Sequence, residues 1–383
     1  MAHHDTMTHA CTTRHAVILA AGESKRTRPL TLLRPKPLIP LLGRPLLTHI
    51  LDELVGLVDR VTLVVGYRAD QIEATFGADY QGIALRYVRQ EVVNGTAGAL
   101  LAAQPVDEPF FLLYGDNLVA QADLLGVCQS RYGVAGLRVA DARSFGVLQI
   151  VDGKVYGMLE KPADPPPDAL ANPGIYQFDQ VVFPLVETIT PSPRGELELT
   201  DLIALLAARH PVRPHICTGF WVPVGNPWEA LSSAQFLVMR QAHLRASIDP
   251  SATLHPEAQL EGAVHIGKAV IEAGARLIGP VAIGDGCIIK AGATVQASAL
   301  ASGVVVGEGA TIQASWLDEH VVIGDKATLT ATIFEEVQPT VETRGLLTVT
   351  QLKTRGAILA SGVTVPPGAQ IAPGTILAQA RSA

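Results

Sequence analysis

The chain has 383 residues, a formal net charge of −7 and a hydrophobic content of 48%. This hydrophobic content excludes a mainly disordered protein, and the length suffices for two or three domains that each bury a core. The negative charge argues against nucleic-acid binding, because such affinity rests on a broad basic surface that releases counterions.

Residues 1–14 predict a disordered polar tail. They lack the hydrophobic region of a secretory signal, so we expect no such signal here. No apolar run approaches the roughly 20 residues that span a bilayer, so we expect no membrane association. The four cysteines show no paired spacing. We therefore expect neither a disulfide framework nor a zinc cluster, and a reducing, cytoplasmic compartment.

Short β-rich runs alternate with helical stretches over residues 15–235, as in AVILAAG, RVTLVVGY and PFFLLYGD. This alternation is typical of βαβ units on a mostly parallel sheet, which is a Rossmann-like α/β fold. The runs are apolar on both faces, as expected for strands covered by helices. Ligands on such sheets bind beyond the carboxyl ends of the strands.

The loop LAAGESKRTRPLT, residues 19–31, follows the first strand and suggests an anionic ligand. Gly22 permits close approach of the backbone to a phosphate, and Arg26 and Lys36 can share the charge of a triphosphate. The G-x-x-x-x-G-K-[ST] spacing is absent, which disfavours an ordinary P-loop ATPase. A basic surface loop is the alternative.

The stretch QEVVNGTAGALLAA, residues 90–103, predicts a helix start rich in small residues. A nucleotide base would fit against it, with Gln90 offering a donor and an acceptor to the base edge. A tight contact between helix and sheet would use the same glycines, so this motif is ambivalent.

The run FFLLYGDNL places Asp116 at the end of a buried strand. A carboxylate there can hold Mg²⁺ together with substrate phosphates. The alternative is that Asp116 caps the next helix. The cationic loop upstream favours the metal.

Residues 236–247 predict a helical connector, and the composition and periodicity of the chain change after it. Apolar residues then recur about every sixth position from residue 248 to 329, as in the series Ile266, Ile271, Leu277, Ile283, Ile289 and Val295. This is the hexapeptide period of a parallel β-helix, which we predict over residues 248–383. The period fails between about residues 335 and 355, where a loop or divergent coils interrupt the solenoid.

The pattern L-A-A-G-x-x-x-R-x-R-P-L-T with P-K-P-L closely resembles the signature of sugar-1-phosphate nucleotidyltransferases, the pyrophosphorylases that make nucleotide-sugars. The motifs GTAGAL, YGDN, FGVLQIVDGKVYGMLEKP, LANPGIYQFD and RGELELTDLI occur in the same order. The resemblance implies a nucleotidyltransferase domain over residues 15–235. The solenoid resembles the left-handed β-helix that many members append, an exception to the right-handed crossover rule.

The resemblance implies in-line attack by a sugar-1-phosphate oxygen on the α-phosphorus of a nucleoside triphosphate, catalysed by positioning and charge neutralisation. Arg26 would hold the triphosphate, Lys36 would contact the transferring phosphate and Asp116 would carry Mg²⁺. The implied nucleotide-binding residues are Leu19, Ala21, Gly22, Gln90, Gly95 and Thr96. The implied sugar-phosphate residues are Gly146, Glu160, Lys161, Asn172 and Gly174.

The chain departs from the family pattern at three places. Ser24 stands where many members have a second glycine. Pro223 replaces the second metal aspartate of the W-x-D-x-G motif, and Asn226 could offer an amide oxygen instead. His320 is displaced from the family's acetyltransferase histidine and lacks its companions, so acetyl transfer is the less favoured expectation.

We expect transfer from UTP or dTTP to glucose 1-phosphate. The alternatives are a mannose-1-phosphate guanylyltransferase, a catalytically weak regulatory or scaffold paralogue that binds nucleotide-sugar, and a bifunctional uridylyl- and acetyltransferase. The expected partners are the nucleoside triphosphate and the sugar 1-phosphate. Because stacked coils leave flat faces suited to subunit contacts, we also expect a homo-oligomer through the β-helix.

Overall fold

A computed structural model describes residues 11–242, 247–333 and 354–378 of the chain. The chain divides into two compact units. In the described part, unit 1 comprises residues 11–23 and 47–222, and unit 2 comprises residues 24–46, 223–242, 247–333 and 354–378. The segment 24–46, which carries Arg26 and Lys36, therefore belongs to the same unit as the C-terminal half. The domain boundaries drawn from the sequence stay a prediction.

The first part of the described chain contains fifteen strands. They are β1 (His15–Ala20), β2 (Pro40–Leu41), β3 (Arg44–Pro45), β4 (Arg60–Val65), β5 (Asp79–Tyr80), β6 (Ile83–Arg89), β7 (Phe110–Tyr114), β8 (Asn117–Val119), β9 (Gly133–Arg138), β10 (Gly146–Val151), β11 (Lys154–Glu160), β12 (Leu170–Ala171), β13 (Ile175–Phe178), β14 (Arg213–Ile216) and β15 (Trp221–Pro223).

Seven α-helices lie in the described residues: α1 (Leu46–Asp52), α2 (Ala69–Phe76), α3 (Thr96–Ala102), α4 (Gln121–Val127), α5 (Val182–Val186), α6 (Leu199–Ala207) and α7 (Pro227–Ala242). Two 3₁₀ turns, Lys25–Thr27 and Lys36–Leu38, lie in the segment 24–46. Within the described residues, none of the helices combines the length and hydrophobicity that crossing a bilayer requires.

The sheet of unit 1 has the order β11-β10-β12-β9-β13-β7-β1-β4-β6-β5, with β14 paired to β9. Its centre, β7-β1-β4-β6, is parallel, whereas β13 runs antiparallel to β7 and the strands beyond it continue a mixed sheet. Val17 of β1 and Leu112 of β7 are buried in one core with Leu100 of α3 and Leu202 of α6. The predicted Rossmann-like α/β fold is confirmed, with parallel pairing concentrated at the centre.

Unit 2 contains a left-handed parallel β-helix of short strands in three sheets. They are β16 (Ser247–Ile248), β17 (Thr253–Leu254), β18 (Gln259–Glu261), β19 (Val264–Ile266), β20 (Val270–Ile271), β21 (Arg276–Ile278), β22 (Val281–Ile283), β23 (Ile288–Ile289), β24 (Thr294–Gln296), β25 (Ala299–Leu300), β26 (Val305–Val306), β27 (Thr311–Gln313), β28 (Trp316–Leu317), β29 (Val322–Ile323), β30 (Thr328–Leu329), β33 (Ile358–Leu359), β34 (Thr364–Val365), β35 (Gln370–Ile371) and β36 (Ile376–Leu377), with β31 (Thr332–Ile333) and β32 (Thr354–Arg355) as a separate pair.

The predicted sixth-position residues fill the axis of the β-helix. Ile266 pairs with Ile283, Ile283 with Leu300 and Leu300 with Leu317 on successive coils, and all four side chains are buried in one core. The first coil covers the end of this stack, where Ile248 remains partly exposed. The hexapeptide solenoid is confirmed because each coil repeats the same inward position.

The predicted interruption falls largely on residues 334–353, which lie outside the described residues. On either side of it, Leu317 pairs with Leu359 and Ile323 with Val365 in the ordinary parallel register. β31 and β32 pair antiparallel at the two ends of the interruption.

α7 lies against the β-helix and includes the first part of the predicted connector. It contacts β19, β22 and β25 of one sheet, and it also contacts β2 of the segment 24–46. Asn226 precedes it, and Pro227 occupies the first helical position, where the missing N–H of proline costs nothing.

The expectation that the cysteines form no disulfide framework is wrong for Cys11 and Cys128, which form a disulfide with their Cα atoms 5.4 Å apart. The two residues are 117 positions apart, so no local spacing signals the pair. Cys217 and Cys287 are free and buried. Burial raises the pKa of the Cys287 thiol to about 11, so it remains protonated at neutral pH.

Candidate active site

The carboxyl ends of the four central strands meet at one edge of the unit 1 sheet. Their backbones are joined there by hydrogen bonds from Gln90 N to Val65 O (2.8 Å), from Tyr67 N to Ala21 O (3.1 Å) and from Gly115 N to Leu19 O (2.9 Å). The predicted residues Leu19, Ala21, Gln90 and Asp116 therefore lie along one edge, where parallel sheets bind their ligands.

Asp116 lies half-buried in the turn between β7 and β8. It does not cap the following helix, because the N-cap of α4 is Ala120. The described residues contain no group of three or more histidine, cysteine or acidic side chains that could hold a metal ion. A single carboxylate nevertheless suits Mg²⁺, which keeps several waters and takes its other ligands from substrate phosphates.

Asn226, the other candidate metal ligand, is engaged in unit 2 as the cap of α7. Its Oδ1 accepts hydrogen bonds from the backbone N–H groups of Trp228 (3.0 Å) and Glu229 (3.1 Å), and its Nδ2 donates to Glu229 Oε1 (2.7 Å). Two accepted bonds occupy both lone pairs of the amide oxygen. We therefore do not carry Asn226 into the proposed metal set.

The residues assigned to the nucleotide base lie at the start of α3. Gln90 is buried and donates from Nε2 to Asn94 Oδ1 (3.2 Å). A Cβ atom on Gly95, whose φ is +101°, would lie 2.5 Å from Leu197 O, and Thr96 Oγ1 accepts from the N–H of Leu199 (3.2 Å). Packing against residues 197–199 thus accounts for Gly95 and Thr96, and their contact with a base stays a prediction.

Gly22 differs from Gly95, because a Cβ atom placed on it has no described atom within 4 Å. Packing within the described chain therefore does not require a glycine here. The approach of a phosphate to this part of the backbone stays a prediction.

The residues assigned to the sugar phosphate are neighbours across β10, β11 and β12. Gly146 pairs with Glu160 in the β10–β11 register. Asn172 N donates to Gly146 O (2.8 Å), and Lys161 N donates to Phe145 O (3.0 Å). The structure thus brings Gly146, Glu160, Lys161 and Asn172 together at the edge of unit 1.

The buried Tyr176 and the partly buried Tyr114 lie next to Asn172 and Gly174. Asn172 Nδ2 donates to the Tyr176 hydroxyl (2.6 Å), which lies 3.3 Å from the Tyr114 hydroxyl. Burial raises the pKa of Tyr176 to about 12 and that of Tyr114 well above its ordinary value. Both phenols are therefore neutral, and Asn172 is held by an uncharged network.

Gly174→Ala should destabilise unit 1 strongly. Gly174 has φ +81°, and a Cβ atom there would lie 2.3 Å from Cδ2 of the Tyr114 ring. Backbone strain and the clash together should lower the free energy of unfolding by about 2–5 kcal/mol, measured by urea denaturation. The matched control is Gly153→Ala, at φ +69° with no atom within 4 Å, which should cost only about 1–2 kcal/mol. Equal losses of unfolding free energy at the two positions would show that the Tyr114 ring does not clash with a Cβ atom at position 174.

Three residues of this region were missed in the sequence. Asn117 Nδ2 (3.1 Å) and Trp221 Nε1 (2.9 Å) both donate to the carbonyl of Pro173, between Asn172 and Gly174. Arg194 lies 3.5 Å from Glu160 and 2.8 Å from Glu198. Arg194 lies in the RGELELTDLI motif, Asn117 in YGDN and Trp221 at the W-x-D-x-G position, so motif membership was the available signal for all three. The motifs did not indicate that Asn117 and Trp221 share the Pro173 carbonyl as acceptor.

The segment 24–46 carries the two candidate phosphate-binding cations in unit 2. Ser24 has φ +54° and ψ +49°, so it adopts the left-handed conformation that favours glycine, at a cost of about 1–2 kcal/mol. Arg26 is exposed in the 3₁₀ turn that follows, whereas Lys36 is buried at the start of the second turn. The phosphate-binding roles of Arg26 and Lys36 stay predictions.

A family model described as "Nucleotidyl transferase" matches residues 15–240. The chain belongs to the nucleotidyl transferase family. A second model, described as "GlmU-like, C-terminal hexapeptide", matches residues 280–342. The nucleotidyl transferase match thus covers the sheet and its edge, and the hexapeptide match covers part of the β-helix.

Curated nucleotidyl transferase relatives include the Bifunctional protein GlmU of Methanocaldococcus jannaschii, 35% identical over 253 residues, which are 65% of this chain and 61% of that protein. The UTP–glucose-1-phosphate uridylyltransferase AglF of Haloferax volcanii is 34% identical over 50% of this chain and 82% of its own. The Glucose-1-phosphate thymidylyltransferase of Streptomyces griseus is 36% identical over 56% of this chain and 64% of its own. The chain spans about half to three fifths of the length of the first GlmU relatives it matches.

Proposed function

We propose that this protein transfers a nucleotidyl group from UTP or dTTP to glucose 1-phosphate, releasing pyrophosphate and a nucleotide-sugar. The observation that carries this proposal is the family match over residues 15–240, on a sheet edge that holds Asp116 beside Leu19 and Ala21. The names of the Haloferax and Streptomyces relatives support glucose 1-phosphate and a pyrimidine nucleotide.

The reaction requires positioning and charge neutralisation rather than covalent catalysis. A phosphate oxygen of the sugar 1-phosphate attacks the α-phosphorus, and the bond from that phosphorus to the bridging oxygen breaks as pyrophosphate leaves. Arg26 neutralises the triphosphate and Lys36 the transferring phosphate. Asn172, held by Tyr176, binds a sugar hydroxyl, and Lys161 binds the sugar phosphate.

Asp116 is the protein residue that would hold Mg²⁺. The ion, when bound, would neutralise phosphate charge in the transition state. Since Pro223 offers no side-chain ligand, the substrate phosphates and water would complete the coordination.

The test is pyrophosphate release with Mg²⁺ across four nucleoside triphosphates, each paired with the 1-phosphates of glucose, mannose, galactose and N-acetylglucosamine. We expect a productive pair of UTP or dTTP with glucose 1-phosphate. GTP with mannose 1-phosphate would instead identify the guanylyltransferase alternative. If no pair gives pyrophosphate release but the protein still binds nucleotide, the result would identify a regulatory or scaffold paralogue.

A second activity, acetyl transfer to an amino-sugar phosphate, is favoured by one observation, the GlmU-like hexapeptide match over residues 280–342. Against it, His320 is an exposed turn residue with φ +58° after β28. Incubation with acetyl-coenzyme A and glucosamine 1-phosphate, followed by thiol release, tests this activity. We expect no thiol release, and His320→Ala should leave pyrophosphate release unchanged.

We also propose that the β-helix joins copies of the chain into a homo-oligomer. The support for this proposal is the hexapeptide match and the stacking of parallel coils in three sheets. Sedimentation equilibrium of the full chain measures the number of copies, and a monomer at micromolar concentration would contradict this proposal.

A further inference from the structure

Arg34 is a buried cation in the same segment as Arg26 and Lys36. Only 8% of the residue is exposed, and arginine is almost never buried unless its charge is paired. Its Nη1 lies 2.8 Å from Asp318 Oδ1, and its Nη2 lies 2.7 Å from Glu319 Oε2. One guanidinium therefore joins the segment 24–46 to two consecutive carboxylates of the β-helix, across 284 residues of sequence.

Asp318 lies among the stacked coils of the β-helix. It directly follows β28, whose Leu317 pairs with Leu300 on one side and Leu359 on the other. Its own N–H donates to Leu359 O (2.9 Å), and the residue is 2% exposed. The carboxylate that faces Arg34 is thus fixed by the coils stacked around it.

The backbone from Arg34 to Lys36 couples the position of Lys36 to that of Arg34. Pro35 has φ −70°, Pro37 follows Lys36, and residues 36–38 form a 3₁₀ turn. Proline rings restrict the backbone, so the position of Arg34 constrains that of Lys36. A hydrogen bond holds the segment near its other end, where Thr27 Oγ1 donates to Gly225 O (3.3 Å).

We propose that Asp318 of the β-helix is a positioning residue for nucleotidyl transfer, which acts through Arg34 to hold the segment that carries Lys36 and Arg26. This inference rests on the proposed function for its kinetic consequence. The β-helix is then part of the catalytic apparatus in addition to any role in assembly. Loss of the Asp318 charge leaves Arg34 incompletely paired in a buried place, which favours release of the segment.

The principal test is Asp318→Asn, which keeps the shape of the side chain and removes its charge. We expect kcat/KM for the nucleoside triphosphate to fall about 10- to 100-fold, since displacement of a positioning segment misplaces the reacting groups. The KM for the sugar 1-phosphate should stay within about twofold, because its predicted residues lie in unit 1. A general loss of structure would instead move both constants and the melting temperature.

Limited trypsin digestion reports on the segment without any need for activity. Of its basic residues, only Lys25 and Arg26 can be cut, because Arg28, Arg34, Lys36 and Arg44 each precede a proline. Asp318→Asn should raise the rate of cleavage after residues 25 and 26 several-fold, since cleavage follows the population of the open segment. Mass spectrometry of the fragments measures this rate.

Asp285→Asn is the matched control, because Asp285 is an exposed β-helix turn residue that accepts a hydrogen bond from Lys268 N, and it should change neither readout. Arg34→Lys is the second variant, used if Asp318→Asn does not fold. It should show an intermediate effect, because lysine keeps the positive charge but cannot bond two carboxylates at once as the guanidinium does.

The inference would be overturned if the rate of cleavage and the nucleotide kinetics stayed at wild-type values in the folded variants, and the proposed function would still stand. A wild-type protein without pyrophosphate release, in which cleavage still responds to Asp318→Asn, would refute the proposed function and keep the anchoring of the segment.

Discussion

Asp116→Asn is expected to lower the rate of pyrophosphate release by at least about 100-fold, the scale of losing one preorganised charge at a reacting phosphate. Asp116 is the acidic residue that follows β7 at the sheet edge, and the family's second metal aspartate is Pro223 in this chain. The remaining coordination of Mg²⁺ would then depend on phosphates and water alone. The concentration of Mg²⁺ that gives half-maximal activity should rise in the variant, measured by metal titration at saturating substrates.

Asp107→Asn is the control for this effect. Asp107 is exposed and precedes β7, so the two aspartates lie near opposite ends of the same strand. Its substitution should leave activity and metal dependence unchanged. If Asp116→Asn binds nucleotide and loses no turnover, the proposed metal role of Asp116 is wrong.

Arg26→Ala should produce the second large effect, a fall of about 100-fold in kcat/KM for the nucleoside triphosphate. Arg26 is exposed, so its removal should leave the melting temperature unchanged. The loss follows because its guanidinium would offer several hydrogen-bond donors to the triphosphate oxygens as charge develops there. Steady-state kinetics with varied nucleotide at fixed sugar 1-phosphate measure it.

Lys25→Ala distinguishes a specific role of Arg26 from the general positive field of the loop. Lys25 is adjacent, exposed and equally charged. Because exposed charges are screened at physiological ionic strength, its removal should change kcat/KM by no more than about threefold. Equal losses for the two variants would favour the alternative of a basic surface loop without a defined phosphate contact.

The β-helix was predictable because its signal is local and repeated. Each coil must bury an apolar side chain at the same inward position, so Ile266, Ile283 and Leu300 recur at a fixed interval. The central strands of unit 1 were predictable for a similar reason, since their apolar runs must be covered on both faces. The antiparallel flank of the sheet carries no such signal, because β9–β13 pairing joins short strands that are far apart in sequence.

The candidate site was predictable where a strand end coincides with a motif. Gln90 directly follows β6 and Asp116 lies two residues after the end of β7, so chain order alone places them at the carboxyl edge. The role of Asn226 was not predictable in this way. Whether its oxygen faces a metal or caps α7 depends on hydrogen bonds that only the folded helix terminus forms.

The sequence by itself determined the α/β unit, the hexapeptide solenoid and the order of the motifs along the chain, because these follow from short-range periodicity and from residue types at fixed spacing. Only the tertiary structure decided that Cys11 meets Cys128, that Asn117 and Trp221 hold the Pro173 carbonyl, and that Arg34 pairs with Asp318. Each of these contacts joins residues that are dozens to hundreds of positions apart. Which residues meet in these contacts depends on how the backbone packs in three dimensions. The local pattern of a sequence does not contain that information.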